Sequence, residues 1–396
     1  MQLRTKPSRS APRNAGGLRA RALGIEELRA LLAPHEAPCI SLYLPSRRGG
    51  TPEDKNRFQA LLKEARLLLS KTHKKSALDA LLDPLLALDK PAFWQEQTEG
   101  LALFASADHT ALYRLPVTVP EQLFVADTFH VRPLLDFLGT NQHYYLLTLS
   151  QGQVAFFKGN LTGLVHIDLA ELPRSLEEAL GPAEKERQKT MHQSARGSAR
   201  TITSGTSVSD SSRDEDMARF YRQVDAAVFR ALRDEKAPLV LAGAERDVHV
   251  YQRVNRYPGL ARESVDGNLA KASTAELHQR AWPVVQSLVA EQEQVVIDRY
   301  QQLVSKARAL DEIRAIAQFA IAGRVSELML DKDAALYGKM DRANGSLELH
   351  GSKSSAAEED VLDDIAEAVL LRGGEVYSLP KKRMPTKSPI AATLRW

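Results

Sequence analysis

The chain has 396 residues, is 43% hydrophobic and 26% charged, and carries a formal net charge of +3. That composition is expected of a globular protein too long for one core, so two or three domains are anticipated. It argues against a disulfide framework, because Cys39 is the single cysteine, and against a secretory leader or membrane span, because no apolar run nears the ~20 residues a spanning helix needs. A cytoplasmic protein is expected.

The charge is unevenly spread. Arg4, Lys6, Arg9, Arg13, Arg19 and Arg21 come before the first acid, Glu26, so residues 1–24 read as a basic, unstructured tail suited to a polyanion. Residues 25–32 then predict a short helix ended by Pro34, and 40–44 a strand with Cys39 buried at its start. The strand runs into the turn-rich PSRRGGTPED, where Arg47 and Arg48 beside Gly49-Gly50 offer either a phosphate contact or a plain loop. Pro52 opens a helix to about residue 72, with Phe58, Leu61, Leu62, Ala65, Leu68 and Leu69 at helical spacing. A helix over 78–88 and a hairpin of 100–106 with 111–115 complete an α+β domain spanning 25–135.

A second domain, 136–285, is expected to carry a mixed sheet. HYYLLTL (143–149) is a near-continuous apolar run, the pattern of a strand buried on both faces. Strands over 154–157 and 164–169 and a short helix over 176–180 follow. Residues 185–216 are almost wholly Ser, Thr, Gly, Arg, Lys and Gln, and Met191, Ile202 and Val208 fit no period, so a long polar loop is predicted. Arg187, Lys189, Arg196, Gly197, Arg200 and Arg213 lie on it, with no acid between Glu186 and Asp210. Cations with hydroxyl donors and glycine suit phosphate oxygens, and a solvated surface loop would look alike. Beyond it Met217, Phe220, Tyr221, Val224, Val228 and Leu232 mark one face of a helix, with Ser212 and Glu215 spaced as a capping box and Asp214, Glu215 and Asp216 at its start. Residues 239–242, ending at Gly243, read as a strand at the edge of a crevice, and 247–255 as a helix stopped before Pro258.

Ser273 and Glu276 are spaced to cap a long helix, broken or kinked at Pro283 and reaching about residue 310, that connects to a third domain over 286–396. There Asp311 is expected to start a helix closed by Gly323. A strand over 325–330, a turn at Asn344-Gly345, a helix over 356–371, and strands over 375–379 and 390–394 make an α/β/α layer domain. Lys381, Lys382 and Arg383 form a second basic run. The fold class is therefore α/β with an α+β first domain.

Enzyme signatures are missing: there is no GxxxxGK[ST], GxSxG, HExxH or paired CxxC, and no metal or cofactor is implied. Ser150, His166 and Asp168 could be drawn as a triad, but nearness in sequence says nothing about triad geometry. With its three domains laid out, the chain resembles the bacterial branch of the archaeo-eukaryotic class-1 release factor and Pelota superfamily. The resemblance rests on ISLYLPSRRGG, HYYLLTLSQGQVAFFKG, DMARFYRQVDAAVFRAL with PLVLAG, AIAGRVSELML and AEAVLLRGGEVYSLP, and covers nearly everything from Ile25 to Trp396. It implies a release-factor-like architecture whose third domain, 286–396, has an RNA-binding ribosomal-protein-like fold and whose central domain projects its loop into the peptidyl-transferase centre, where a Gly-Gly-Gln motif sets a water against the peptidyl-tRNA ester. This chain departs there: it contains no Gly-Gly-Gln, only Arg196-Gly197-Ser198 and Ser204-Gly205-Thr206 in the loop. The resemblance thus implies a factor binding ribosome, rRNA or tRNA at the A site, in rescue or hibernation, without hydrolysis. It leaves a translational GTPase open as a partner. A non-standard peptidyl-tRNA hydrolase is the alternative, and a protein scaffold without RNA a third reading.

Overall fold

A computed structural model describes residues 23–140, 143–180, 206–269, 271–350 and 359–396. The backbone divides into two compact units, Met1–Leu138 with Tyr300–Trp396, and Gly139–Arg299. The basic tail before residue 23 lies outside the described residues.

In the first unit, α1 (Ile25–Leu32) precedes β1 (Cys39–Pro45), whose residues are nearly all buried, Cys39 included. α2 (Pro52–Leu69) begins on a reciprocal cap between Thr51 and Asp54, with proline at its first position. α3 (Lys75–Leu86) and α4 (Pro91–Gln95) follow, and then β2 (Gly100–Ala105), β3 (Thr110–Leu115) and β4 (Gln122–Ala126). These strands form an antiparallel sheet in the order β3-β2-β1-β4. One face buries Ile40, Leu42, Leu44, Leu101 and Leu103 against Phe58, Leu62, Leu78 and Leu82 of the helices. The predicted helical stripe of α2 is that buried face, and the predicted hairpin is β2–β3. α5 (Arg132–Thr140) closes this segment.

The second unit is built on β5 (Tyr144–Leu149), buried throughout as its apolar run predicts. β6 (Ala155–Asn160) and β7 (Gly163–Ile167) add antiparallel strands on one side. After α6 (Leu176–Leu180) and α7 (Thr206–Ala231), β8 (Leu239–Gly243), α8 (Glu245–Val254) and β9 (Leu260–Asp266) add parallel strands on the other. The order β7-β6-β5-β8-β9 is the mixed sheet expected. Alternate residues of β5 face opposite layers. Tyr145, Leu147 and Leu149 pack with Phe220, Val224, Val228 and Tyr251 of α7 and α8, and Tyr144 and Leu146 pack with Leu277, Ala281 and Val285 of α9 (Thr274–Val304). A side chain at Gly243 would meet the Leu149 carbonyl oxygen at 2.5 Å, so the end of β8 requires glycine.

Two boundaries differ from expectation here. α7 starts at Thr206, so residues 206–216 are helix, not loop; Ser212 does not cap it, and Asp214–Asp216 sit past its second turn. The apolar face from Met217 onward nucleates this helix, and extending it backward adds one hydrogen bond per residue fixed, which offsets the weak propensity of Ser and Asp. The remaining loop residues, 185–205, lie outside the described ones. α9 runs through Pro283 but ends at Val304, short of residue 310, and Ala307 adopts φ +53 just beyond it. The Glu276 N–H donates to Ser273 Oγ at 3.2 Å, the cap expected for α9.

The first unit resumes with β10 (Ala309–Leu310), α10 (Ile313–Ile321), β11 (Val325–Asp331), β12 (Tyr337–Met340), β13 (Leu347–Leu349), β14 (Glu359–Asp360), α11 (Val361–Leu371), β15 (Glu375–Leu379) and β16 (Ile390–Leu394). Glu312, not Asp311, caps α10, its carboxylate accepting from the Arg314 and Ala315 N–H groups. α11 begins five residues later than predicted, because 359–360 pair with β12 and Asp360 supplies the cap. The main sheet runs β10-β16-β11-β15, with β11 and β15 parallel, and the Asn344-Gly345 turn joins β12 to β13.

The acidic face of α11 is buried: Asp360, Asp363, Asp364 and Glu367 are each 4% exposed. Its partners come from residues 128–132 of the chain's first segment. Asp363 Oδ1 accepts from the Val131 N–H at 3.0 Å and the Arg132 N–H at 2.7 Å, capping α5 from a helix more than 200 residues away. Arg132 donates to Asp360 at 2.7 Å and to the Asp331 carbonyl at 2.5 Å. Arg342 bridges Thr128, Asp364 and Glu367 at 2.7, 2.7 and 2.9 Å. Burial raises the Glu367 pKa despite Arg342.

Candidate nucleic-acid interface

Arg187, Lys189, Arg196, Gly197 and Arg200 lie outside the described residues, and Arg213 falls within α7. Arg47 and Arg48 sit on the β1–α2 loop, where Gly49 and Gly50 have φ of +79 and +65. A side chain on Gly50 would approach the Trp94 carbonyl oxygen to 2.7 Å. The turn uses its own amides: Gly49 N–H donates to Gln97 O, Gly50 N–H to Arg47 O, and the Arg47 and Thr51 N–H groups to Asp54. Asp54 is fully buried; burial raises its pKa, but the Arg47 amide, the Thr51 hydroxyl and the Arg57 guanidinium more than reverse this and hold it low. The Gly-Gly amides are thus committed to the turn, while the Arg48 side chain stays 80% exposed beside Glu99. Lys381, Lys382 and Arg383 form a single 3-10 turn after β15, the two lysines exposed. Lys332, whose N–H donates to Leu379 O, adjoins that end of the sheet.

Sequence reasoning missed a groove of about 1110 Å³ between α7 and α8. Arg219, Arg222, Arg253 and Arg256 line it, with Glu215, Asp216 and Asp225. The α7 arginines lie opposite the apolar stripe that buries α7, which is the signal that could have revealed them. Asp225 is buried and holds Arg256 at 2.7 Å, and Arg256 also lies 5.0 Å above the Phe229 ring. This arrangement presents guanidinium groups on a rigid helix pair, suited to phosphate oxygens.

Where β5 and β8 end, Asp247 is buried in the first turn of α8. Burial raises its carboxyl pKa, against the opposing Tyr221 hydroxyl and Gln151 amide. The triad drawn from sequence does not assemble: Ser150 Oγ donates to Gln153 O at 3.0 Å, Asp168 accepts from Arg174 at 3.2 Å, and His166 packs edge-on against Phe157. Among the described residues there is no group of three or more His, Cys, Asp or Glu able to hold a metal, and no helix long and apolar enough to cross a membrane.

The comparison with family models gives the class the chain resembles: over residues 143–324 it is similar to the release-factor and Pelota-like superfamily. Within that class, the family whose model it matches is the Bacterial archaeo-eukaryotic release factor family 3, over residues 143–324. Similar solved structures include an archaeal translation termination factor aRF1 (14% identity, 94% of this chain and 97% of that one, TM-score 0.23). The Archaeoglobus fulgidus Pelota is 15% identical over 75% of this chain and 79% of that one, with TM-score 0.33. A ribosome-bound archaeal Pelota, from a complex with ABCE1, is 10% identical over 95% of each chain, with TM-score 0.41. No curated protein matches the chain.

Proposed function

We propose that this protein is a cytoplasmic, ribosome-associated factor that occupies the A site in rescue or hibernation and does not hydrolyse peptidyl-tRNA. The observation that carries the reading is the family match over 143–324 in a chain with no Gly-Gly-Gln. Without that motif, a group to orient the water and stabilise the developing oxyanion is missing from the place the family uses. Arg187, Lys189, Arg196, Gly197, Arg200 and Arg213 make the contact to rRNA or tRNA, supported by the α7–α8 groove, with Arg47, Arg48, Lys381, Lys382 and Arg383 as further contacts. The parts 25–135, 136–285 and 286–396 serve as its three functional domains, and a translational GTPase is a candidate partner. Co-migration with ribosomes on sucrose gradients at two ionic strengths tests the reading: association should fall steeply with salt, because phosphate contacts release counterions. Salt-insensitive association, or none, refutes it.

A second reading, a peptidyl-tRNA ester hydrolase with non-standard groups, draws on Asp247, a buried carboxyl of raised pKa beside Gln151. Peptide release by the wild type that is abolished in Asp247→Asn, with ribosome binding intact, would favour it.

A further inference from the structure

Four arginines collect at one end of the sheet β10-β16-β11-β15. Arg308 precedes β10, Arg324 precedes β11, Arg395 follows β16 and Arg372 follows α11. Because β16 runs antiparallel to β10 and β11, these positions meet at a single edge, opposite the turn that bears Lys381 and Lys382. Main-chain oxygens hold each guanidinium. Arg308 donates to Leu394 O at 2.9 Å and to Arg395 O, and Arg324 to Trp396 O at 3.0 Å. Arg372 donates to Ala368 O at 3.2 Å and Arg395 to Arg372 O at 2.8 Å.

The bland explanation is capping: carbonyls at the end of α11 favour nearby cations. It accounts for one or two of the five donors on each guanidinium. Among the described residues none of the four pairs with an Asp or Glu side chain; Arg324 meets the carboxylate of the last residue, Trp396, while Arg308, Arg372 and Arg395 are oriented by peptide carbonyls without being neutralised. The Nε atoms of Arg308 and Arg324 are buried without an acceptor. Aromatic surface is interleaved with this charge: Arg324 lies 4.7 Å over the Phe319 ring, and Trp396 is 66% exposed.

We propose that this end of the sheet binds single-stranded RNA, with the phosphodiester backbone on Arg308, Arg324, Arg372 and Arg395 and a base stacked on Trp396. Guanidinium forks fixed on a rigid edge beside an exposed indole match a strand of alternating phosphates and π-faces, and stacking of this kind accepts any base. An acidic peptide would satisfy the charge alone and leave the indole without a planar partner. The inference rests on the RNA-associated reading above but uses neither the 185–216 segment nor the α7–α8 groove.

The test uses the full chain, a labelled mixed-sequence oligoribonucleotide for anisotropy, and intrinsic tryptophan emission. The chain has three tryptophans, and Trp94 is buried while Trp396 is exposed. RNA should quench emission in the wild type but not in Trp396→Phe, which keeps a smaller stacking ring and should bind more tightly than Trp396→Ala. Trp396→Ala should weaken binding about 5-fold or more. Arg372→Gln, at a half-buried position, should lower the salt slope by about 0.7. Bound RNA with no quenching, and Trp396→Ala binding like the wild type, overturns this surface while leaving the proposed function standing. No anisotropy change under any salt condition overturns both. Quenching by poly-glutamate with affinity equal to that for RNA overturns the RNA assignment in favour of a protein partner.

Discussion

Asp363 offers the sharpest test of how the first unit is held together. Its Oδ1 accepts two main-chain N–H groups, from Val131 and Arg132, and its Oδ2 lies 3.3 Å from His130 Nδ1, all in a site where Asp363 is 4% exposed. Asp363→Ala removes the acceptor for two buried donors, each costing about 1–3 kcal/mol when left unpaired. The structure therefore points to a loss of about 3–4 kcal/mol. Asp363→Asn keeps Oδ1 for both donors but forfeits the charge assistance and the longer Oδ2 contacts with His130 and Val131, so a smaller loss of about 1–2 kcal/mol is expected. Urea unfolding in a Trp282→Phe background reads the first unit through buried Trp94, and amide exchange at Val131 and Arg132 reads the cap itself. A loss below about 1 kcal/mol in Asp363→Ala, with exchange at both amides unchanged, would refute the cap as a stabilising contact.

Other expectations follow from single features. Gly50→Ala should destabilise by about 2 kcal/mol or more, since it adds a contact with the Trp94 carbonyl to the cost of its positive φ, whereas Gly49→Ala, facing open space, should cost about 1 kcal/mol; equal melting temperatures for the two would contradict this. Asp108 accepts from Glu36 N–H, Ser106 Oγ and His35; burial raises its pKa, but these bonds overturn that and lower it to about 2. Its contribution is thus complete above the ordinary value of 3.8 and fades as pH falls toward about 2, so Asp108→Asn should flatten the acid limb of a melting-temperature profile. Glu367 has the opposite sign: its raised pKa makes stability decline as pH climbs from 4.5 through the folded value, and Glu367→Gln should remove that decline. Replacing Arg196 and Arg200 with Ala should weaken ribosome association in a salt-dependent way with no ester hydrolysis in either form; peptide release that collapses in Gly197→Val with binding intact would contradict the proposed function.

Much of the fold was legible because local signals agreed. β5, β15 and β16 appear where apolar or β-branched runs are bounded by turns, and α2 where proline, a cap and a 3.6 period coincide. Signals that depend on distant partners were not. Nothing local marks Asp363, Asp364 and Glu367 as buried, and only their contacts with residues 128–132 and Arg342 show it. The start of α7 was misplaced because Ser and Asp favour caps locally, while the apolar face further on decides the helix. For the candidate interface, the resemblance over 143–324 was readable from phrases along the chain, but the groove was not, since it exists only once α7 and α8 lie side by side.

The cap on α5 sets an order of events during synthesis. Val131 and Arg132 leave the ribosome long before Asp363, 232 and 231 residues later, so α5 has no cap and Arg132 no carboxylate while the intervening chain is made. The strands β5–β9, in contrast, find all their sheet partners within residues 144–266. The central unit can therefore finish its sheet first, while the first unit waits with Phe129, Val131 and Leu134, all buried in the completed fold, still uncovered. A stall in translation between residues 300 and 360 would leave a nascent chain with one folded unit and one aggregation-prone segment.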